Sequence, residues 1–567
     1  MPESAADRPE LRQAFDALTG RFPDGVLSGG VEKGELSVRV GKDALASVLA
    51  FLKDEQGFNA VDDIIVLDNI RASGEGGKRF TVLYQLCRFP DFLRLRLAVD
   101  VCETEALDSA VPVYRSADWA EREAFDMFGV RFEGHPGLCR IYMPDEFEGH
   151  PLRKDFPLGG RDVASEAPRI YSRESDSLQA LERQSPERGI RHSPTDTHPW
   201  NSAKGIKEID LNMGPQHPST HGVLRLKLAV DNEVVLRVVP VLGYLHRGME
   251  KLWENLTYTQ VVPLTDRLDY IAALSNNLGF VLAVETLAGI EVPRRARYIR
   301  VVLAELQRLA SHLAWLGFMA NDIGAMSVLL YSFEAREHVL DLFEEYCGAR
   351  LTVHGIRIGG VPQDLDGTLV ARIRTVLEGI PKHLADIRAL LDENRIWKER
   401  TVGVGLIGAG DAVEYGLTGP SLRASGVPWD IRKDIPYSSY EEFDFDVPLG
   451  RNGDIYDRYI VRLEEIFQSI RIVRQALDGL PEGAISAKVP RVLKVPPGEV
   501  FHTIEAPKGV LGFYVKSNGT DKPERVKMKS PSFINLQSLE HMCKGNLFSD
   551  VVGILGSLDI VLGEIDK

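Results

Sequence analysis

The chain has 567 residues, of which 44% are hydrophobic and 26% charged, and its formal net charge is −15. That length exceeds what one hydrophobic core usually supports, so two or more domains are expected, and the composition is ordinary for a soluble globular protein. The negative balance argues against a nucleic-acid binder, which needs a basic face against phosphates. No stretch reads as a membrane span: the best candidate, Val301 to Ala320, contains Glu305, Arg308 and His312, whereas a span needs about 20 mostly apolar residues. The start, MPESAADRPE, lacks the basic and apolar regions of a signal peptide, so a cytoplasmic protein is expected, able to dock on a membrane complex. Its cysteines, Cys87, Cys102, Cys139, Cys347 and Cys543, form no CxxC pair. Buried reduced thiols are therefore expected, and no zinc ribbon or iron–sulfur motif.

Residues 1–160 read as a small α+β domain. Leu45, Val48, Leu49 and Leu52 have helical spacing within Lys42 to Gln56, and Phe80, Val82, Tyr84 and Leu86 alternate as a strand. A second strand alternates at Leu93, Leu95, Leu97 and Val99, and FPD joins the two as a hairpin. Residues 161–205 are rich in Arg, Ser, Glu and Pro and poor in aliphatic residues, which predicts a flexible linker.

The larger domain, 206–567, opens with alternating strands around the turn Asp231-Asn232. Long helices are predicted at Arg294 to Phe318, 334–349, 367–393 and 453–478. In the first, Ile299, Val302, Leu303, Leu306, Leu309, Leu313 and Leu316 share a face, while Val301 and Trp315 lie opposite. That helix is expected to be buried all round. Near the end, Asn518-Gly519 reads as a hairpin turn between GFYVK and ERVKMK. The fold class expected is α+β, with the second domain a central helical bundle flanked by β structure.

Three segments could carry chemistry. GPQHPSTHG places His217 and His221 in a loop whose Gly and Pro fix an irregular backbone; on spacing alone, a β-turn with solvent-facing histidines explains it as well. LTDRLDYIAALSNN gathers Asp266, Asp269, Tyr270 and Asn276, with the first three expected on one helix face. A hydrated face with an Asp–Arg pair through Arg267 is the plainer account. MANDIGAM ends the long helix at Asp322, where Asn and Asp beside Gly commonly terminate helices.

Taken together these segments resemble a family. GPQHPSTHGVLRL, GYLHRGMEKL, YTQVVPLTDRLDY, NDIGAM, RIGGVPQDL, PWDIRK, RNGDIYDRY, APKGVLGFYV and GILGSLDIVLGEIDK are similar to the D subunit of respiratory NADH-quinone oxidoreductase, complex I. ADWAEREAFDMFGVRF and MPDEFEGHPLRKDFPL resemble its C subunit, so the chain looks like the fused C/D form of some bacterial enzymes. The resemblance implies a peripheral subunit on the cytoplasmic side of the inner membrane that helps form the quinone-reducing site of a proton-pumping enzyme. Expected partners are the B subunit with the terminal 4Fe-4S cluster, the I and G subunits and the membrane H subunit. No cofactor is expected in this chain; quinone would be substrate, and FMN and the iron–sulfur clusters would lie in partner subunits. His221 and Tyr270 resemble the pair that holds the quinone headgroup, Asp322 the carboxylate that partners His221, and Arg247 an arginine beside the terminal cluster. His217, Asp266 and Val561 complete the expected quinone-binding set.

The D subunit is also similar to the large subunit of nickel–iron hydrogenases, which hold their metal through two CxxC pairs. Asp269, Ala272, Val561 and Glu564 stand at the four thiolate positions, and such a centre needs soft sulfur ligands, so the hydrogenase activity fails at every ligand. A purely structural scaffold is the competing reading, strongest for the amino-terminal domain. There Glu121, Arg122 and Glu123 most simply serve ion pairs at a helix surface or at a contact between subunits. From the linker composition, brief proteolysis of the isolated chain is expected to cut first between about 165 and 200 and leave two folded fragments; first cuts within 220–480 would contradict that division.

Overall fold

The computed structural model describes residues 9–32, 35–70, 77–89, 91–160 and 208–567; the segment read as a linker, 161–205, lies outside them. The chain separates into two compact units. One holds residues up to Asn212 with Lys227–Leu236 and Val241–Gly243, and the other holds Met213–Leu226, Arg237–Pro240 and Tyr244–Lys567.

In the first unit a five-stranded sheet has the order β1-β2-β5-β4-β3, from β1 (Val26–Glu32), β2 (Glu35–Val40), β3 (Ala60–Asp68), β4 (Phe80–Arg88) and β5 (Leu93–Val101). β2 and β5 run parallel; the other neighbours are antiparallel. Alternation in β4 suggests one apolar face, yet both of its faces are covered. The polar positions are matched across strands: Thr81 lies opposite Asp100 and donates to its carboxylate at 2.7 Å, and Gln85 lies opposite Arg96. The Thr81–Asp100 bond satisfies one such pair on the covered face.

Helix α1 (Ala117–Phe128) corrects another expectation. Glu121 is fully buried and accepts hydrogen bonds from the Ser109 hydroxyl at 2.7 Å and the Ala110 N–H at 2.6 Å. Arg122 is also buried and donates to the carbonyls of Cys139 and Arg140. These charges hold loops inside the unit; neither lies on its surface. Asp126 does the same for the following loop, accepting the N–H groups of Ile141, Tyr142 and Met143 and an Arg140 guanidinium.

The second unit is built on α2 (Arg294–Asp322), packed against α3 (Met326–Cys347) and α4 (Ile455–Asp478). As expected, α2 is buried on all sides, from Tyr298 to Leu316 without a break. Its charges are therefore interior. Glu305 is wholly buried and meets Arg308 at 3.2 Å, Arg432 at 3.1 Å, the Tyr440 hydroxyl at 2.6 Å and the Ser469 hydroxyl at 2.5 Å. His312 lies 2.9 Å from Glu465, which also pairs with Arg423 at 2.7 Å. Arg423 in turn meets Glu505 at 2.7 Å.

A three-stranded antiparallel sheet of order β6-β7-β8 closes the unit: β6 (Gly498–Ala506), β7 (Gly509–Ser517) and β8 (Arg525–Lys529). Asn518-Gly519 opens a longer loop, 518–524, and is not the two-residue turn expected. The tight turn is Pro507-Lys508, between β6 and β7.

Glu305→Ala is expected to cost roughly 3–5 kcal/mol, because it strands two buried guanidinium groups. Chemical denaturation of the purified chain measures it, and a loss below about 1 kcal/mol would contradict this account of the core.

Candidate functional site

The loop 214–222 is bonded to itself. Gly214 takes φ 82, and a Cβ there would lie 2.2 Å from the Leu224 carbonyl oxygen, so glycine is required. His217 caps a short turn by accepting the Ser219 N–H at its Nδ1 (3.2 Å), and the buried Thr220 hydroxyl donates to the His217 carbonyl at 3.0 Å. His221 follows in the left-handed region at φ 56. It keeps solvent-exposed surface, yet the atoms packed around its ring, and then the Lys508 ammonium, hold its pKa below the ordinary value.

The second segment differs from its expectation. Residues 266–272 are not helical; they form a turn between α-helices Tyr258–Thr265 and Ala273–Ala288. Side chains of the segment bind backbone groups in place of a helical ladder. Asp269 Oδ1 accepts the Ile271 N–H at 3.0 Å, and Asn276 and Asn277 donate to the carbonyls of Asp269 and Val262. Asp266 is fully buried, bonded by Asn277 and 2.8 Å from His354 Nε2. Its carboxylate is thus occupied by protein partners.

Tyr270 is held the other way. It is 37% exposed, and among the described residues no hydrogen bond uses its hydroxyl. Burial and then Asp269 raise its pKa, while Lys508 and Arg247 act in the opposite direction. The Arg247 guanidinium donates to the carbonyls of Arg267 at 3.0 Å and Gly563 at 2.7 Å, bridging this turn to the carboxyl-terminal segment.

Asp322 ends α2, half-buried, with its pKa pushed up to about 6 by burial and partly restrained by His217. It is expected beside His221; among the described residues no hydrogen bond or ion pair joins it to His221 or to His217. Val561 is buried, and its N–H donates to the Ser532 hydroxyl at 3.2 Å. Glu564, at a position where thiolate was weighed, is buried with its pKa raised to about 8 by burial and then by Asp269.

The structure therefore sets Asp269 against Lys508, anchors Arg247 on the turn that carries Tyr270, and commits Asp266 to His354. Lys508, Asp559 and His354 were missed in the sequence. APKG displays the lysine, but a cation in a turn reads as solvent-facing, and nothing local reports its burial.

The comparisons agree with one another. The model of the respiratory-chain NADH dehydrogenase 49 Kd subunit matches residues 322–493 and 488–567, and that of the 30 Kd subunit matches 38–162. The chain is 39% identical to the C/D subunit of NADH-quinone oxidoreductase from Methylococcus capsulatus, over 99% of this chain and 98% of that one. It is 38% identical to the corresponding C/D subunit from Nitrosospira multiformis, over 93% and 90%. To the D subunit from Geotalea uraniireducens it is 51% identical, over 63% of this chain and 98% of the relative.

The raised pKa of Asp322 has a consequence for stability. Its folded form favours the proton, so ionisation opposes folding as pH rises from the unfolded value through about 6. Asp322→Asn is expected to match wild type below about pH 4 and to be more stable by about 1–2 kcal/mol above pH 6, after discounting for solvent screening. Thermal unfolding of the purified chain across that range tests it; equal stability at pH 7 would contradict the assignment.

Proposed function

This chain belongs to the C/D-subunit family of NADH-quinone oxidoreductase, and we propose that its larger unit forms the quinone-reducing site together with the B subunit. The observation that carries this reading is the turn that bears Tyr270, anchored through Asp269 on the buried Lys508 ammonium at 3.0 Å; burial and then that same charge lower the His221 pKa. Reducing a quinone to a quinol takes two electrons and two protons. The electrons would be supplied by the terminal 4Fe-4S cluster of the B subunit; what this chain adds is orientation and protons. A dianionic headgroup in a water-poor pocket carries a large desolvation cost, so donors must stand at its carbonyl oxygens.

Tyr270 is suited to one oxygen. Its hydroxyl is neutral at physiological pH, reaches the surface and is uncommitted within the described residues. His221 is suited to the other, since imidazole titrates near neutrality and a lowered pKa favours release of its proton. Asp322, its pKa raised to about 6, can hold a proton close to neutral pH. Asp266, bonded to Asn277 and His354, would support the turn that carries Tyr270; Val561 would offer an apolar wall. Arg247, anchored on two carbonyls, would face the cluster and raise its potential by its charge.

In this reading the chain lies on the cytoplasmic side of the inner membrane, beside the I, G and H subunits, in an enzyme that pumps protons. No described helix is long and apolar enough to cross a membrane, which suits docking on membrane subunits. FMN and the clusters would lie in partner subunits. Kinship with the nickel–iron hydrogenase large subunit is part of the same reading, with Asp269, Ala272, Val561 and Glu564 where thiolates would stand.

Tyr270→Phe removes one hydroxyl and almost no volume, so assembly should survive. Quinone-dependent NADH oxidation in membranes is expected to fall roughly tenfold or more. In His221→Ala the loss should depend more steeply on pH, since a proton carrier is gone. Oxidation of NADH by an artificial acceptor at the flavin end should be normal in both. Wild-type quinone reduction in both variants would leave a scaffold role standing.

A further inference from the structure

Lys508 occupies the turn between Ala506 and Gly509, the last residue of β6 and the first of β7. A lysine in a hairpin turn ordinarily reaches into water, because an ammonium is strongly hydrated. This side chain is 1% exposed. The turn is locked around it. Gly509 takes φ 143, and a Cβ there would lie 2.3 Å from Thr418 Oγ1. That hydroxyl accepts the Val510 N–H at 3.1 Å, and the Lys508 carbonyl accepts a hydrogen bond from Asn535 at 3.1 Å.

The ammonium lies 3.0 Å from Asp269 Oδ2 and 3.8 Å from Asp559 Oδ1, and it donates to the Ser311 hydroxyl at 3.3 Å. Glu564 adds to the negative field at the lysine, and Asp559 is itself 3.9 Å from Arg462. Two carboxylates, Asp269 and Asp559, thus meet one cation, with Glu564 near them. An apolar side chain of similar length would be easier to bury than this cluster, so stability alone does not account for it.

The cluster is tied to the turn that carries Tyr270. Asp269 directly precedes Tyr270 and fixes its turn through the Ile271 N–H. The charged groups acting on Tyr270 are Asp269, Lys508 and Arg247, and the one acting on His221 is Lys508. Resting on the reading of His221 and Tyr270 as headgroup donors, we propose that Lys508 is a positioning residue of the site: a fixed ammonium, anchored on Asp269, that makes both donors release their protons more readily to a reduced headgroup. Asp269 and Asp559 keep it charged.

The test uses membranes carrying the intact complex. The pH profile of quinone-dependent NADH oxidation is compared for wild type, Lys508→Met, Lys508→Arg and the double variant Lys508→Met/Asp269→Asn. The amount of each assembled subunit and acceptor-dependent oxidation serve as controls. Removing the cation raises the proton affinity of both donors, so the profile should move to alkaline pH by about one pH unit; Lys508→Arg should stay close to wild type. The double variant covers failure of Lys508→Met to assemble, since Asp269 then no longer needs a counter-ion. An unmoved profile in Lys508→Met, or in the double variant once Tyr270→Phe removes the donor at which the two lost charges cancel, with Tyr270→Phe and His221→Ala still impaired, overturns the role of Lys508 and spares the headgroup reading. Loss of assembly in both charge-removing variants, with Lys508→Arg assembling, shows a structural ammonium and likewise overturns it. Normal quinone reduction in Tyr270→Phe and His221→Ala removes both readings.

Discussion

Glu305 stands in the middle of a helix that has no solvent-facing side, and the larger unit is arranged around that circumstance. A buried carboxylate must be met by cations and donors of good geometry, or its desolvation is not recovered. Its partners come from distant parts of the chain: Arg308 on the same helix, Arg432 and Tyr440 from the segment before α4, and Ser469 on α4 itself. Arg423 extends the system to Glu465 on α4 and to Glu505 on β6. Each bond has a narrow geometry, so together they set the register of α2, α4 and the β6–β7 hairpin. Asp322 ends α2 and Lys508 tips the hairpin; both inherit their positions from this frame.

The interior and the candidate site differ in how fully charge is matched. Glu305 has two guanidinium groups and two hydroxyls, and its pKa is held down to about 2 despite burial. Asp322 and Glu564 are buried with fewer cationic neighbours, and burial lifts them to about 6 and about 8. The same desolvation therefore gives a fixed charge in one place and a group that titrates near neutrality in the other. Groups of the second kind are those that can exchange protons during a reaction.

Much of this was legible along the chain. Apolar spacing places α2, and Val301 and Trp315 opposite its main apolar face correctly imply burial all round. The hairpin of β4 and β5 follows from alternation and the FPD turn. Other readings failed for identifiable reasons. The turn 266–272 looks helical because its spacing continues that of its neighbours, while the Asp and Asn side chains that replace the ladder act through contacts that spacing does not encode. Glu121 and Arg122 look like surface charges because their buried partners, Ser109, Ala110, Cys139 and Arg140, are supplied by flanking loops.

By itself the sequence determined the elements whose cause is periodic, the mixed α+β class and the family, because apolar spacing and long ordered motifs are local properties of the chain. Only the tertiary structure decided which charges meet. Asp266 is committed to His354, and a lysine that reads as solvent-facing is enclosed beside Asp269 and Asp559. The physical reason is that ionic pairing depends on distance in space and on loss of water. Both are set by the packing of segments hundreds of residues apart, and neither leaves a mark on the spacing around any one of them.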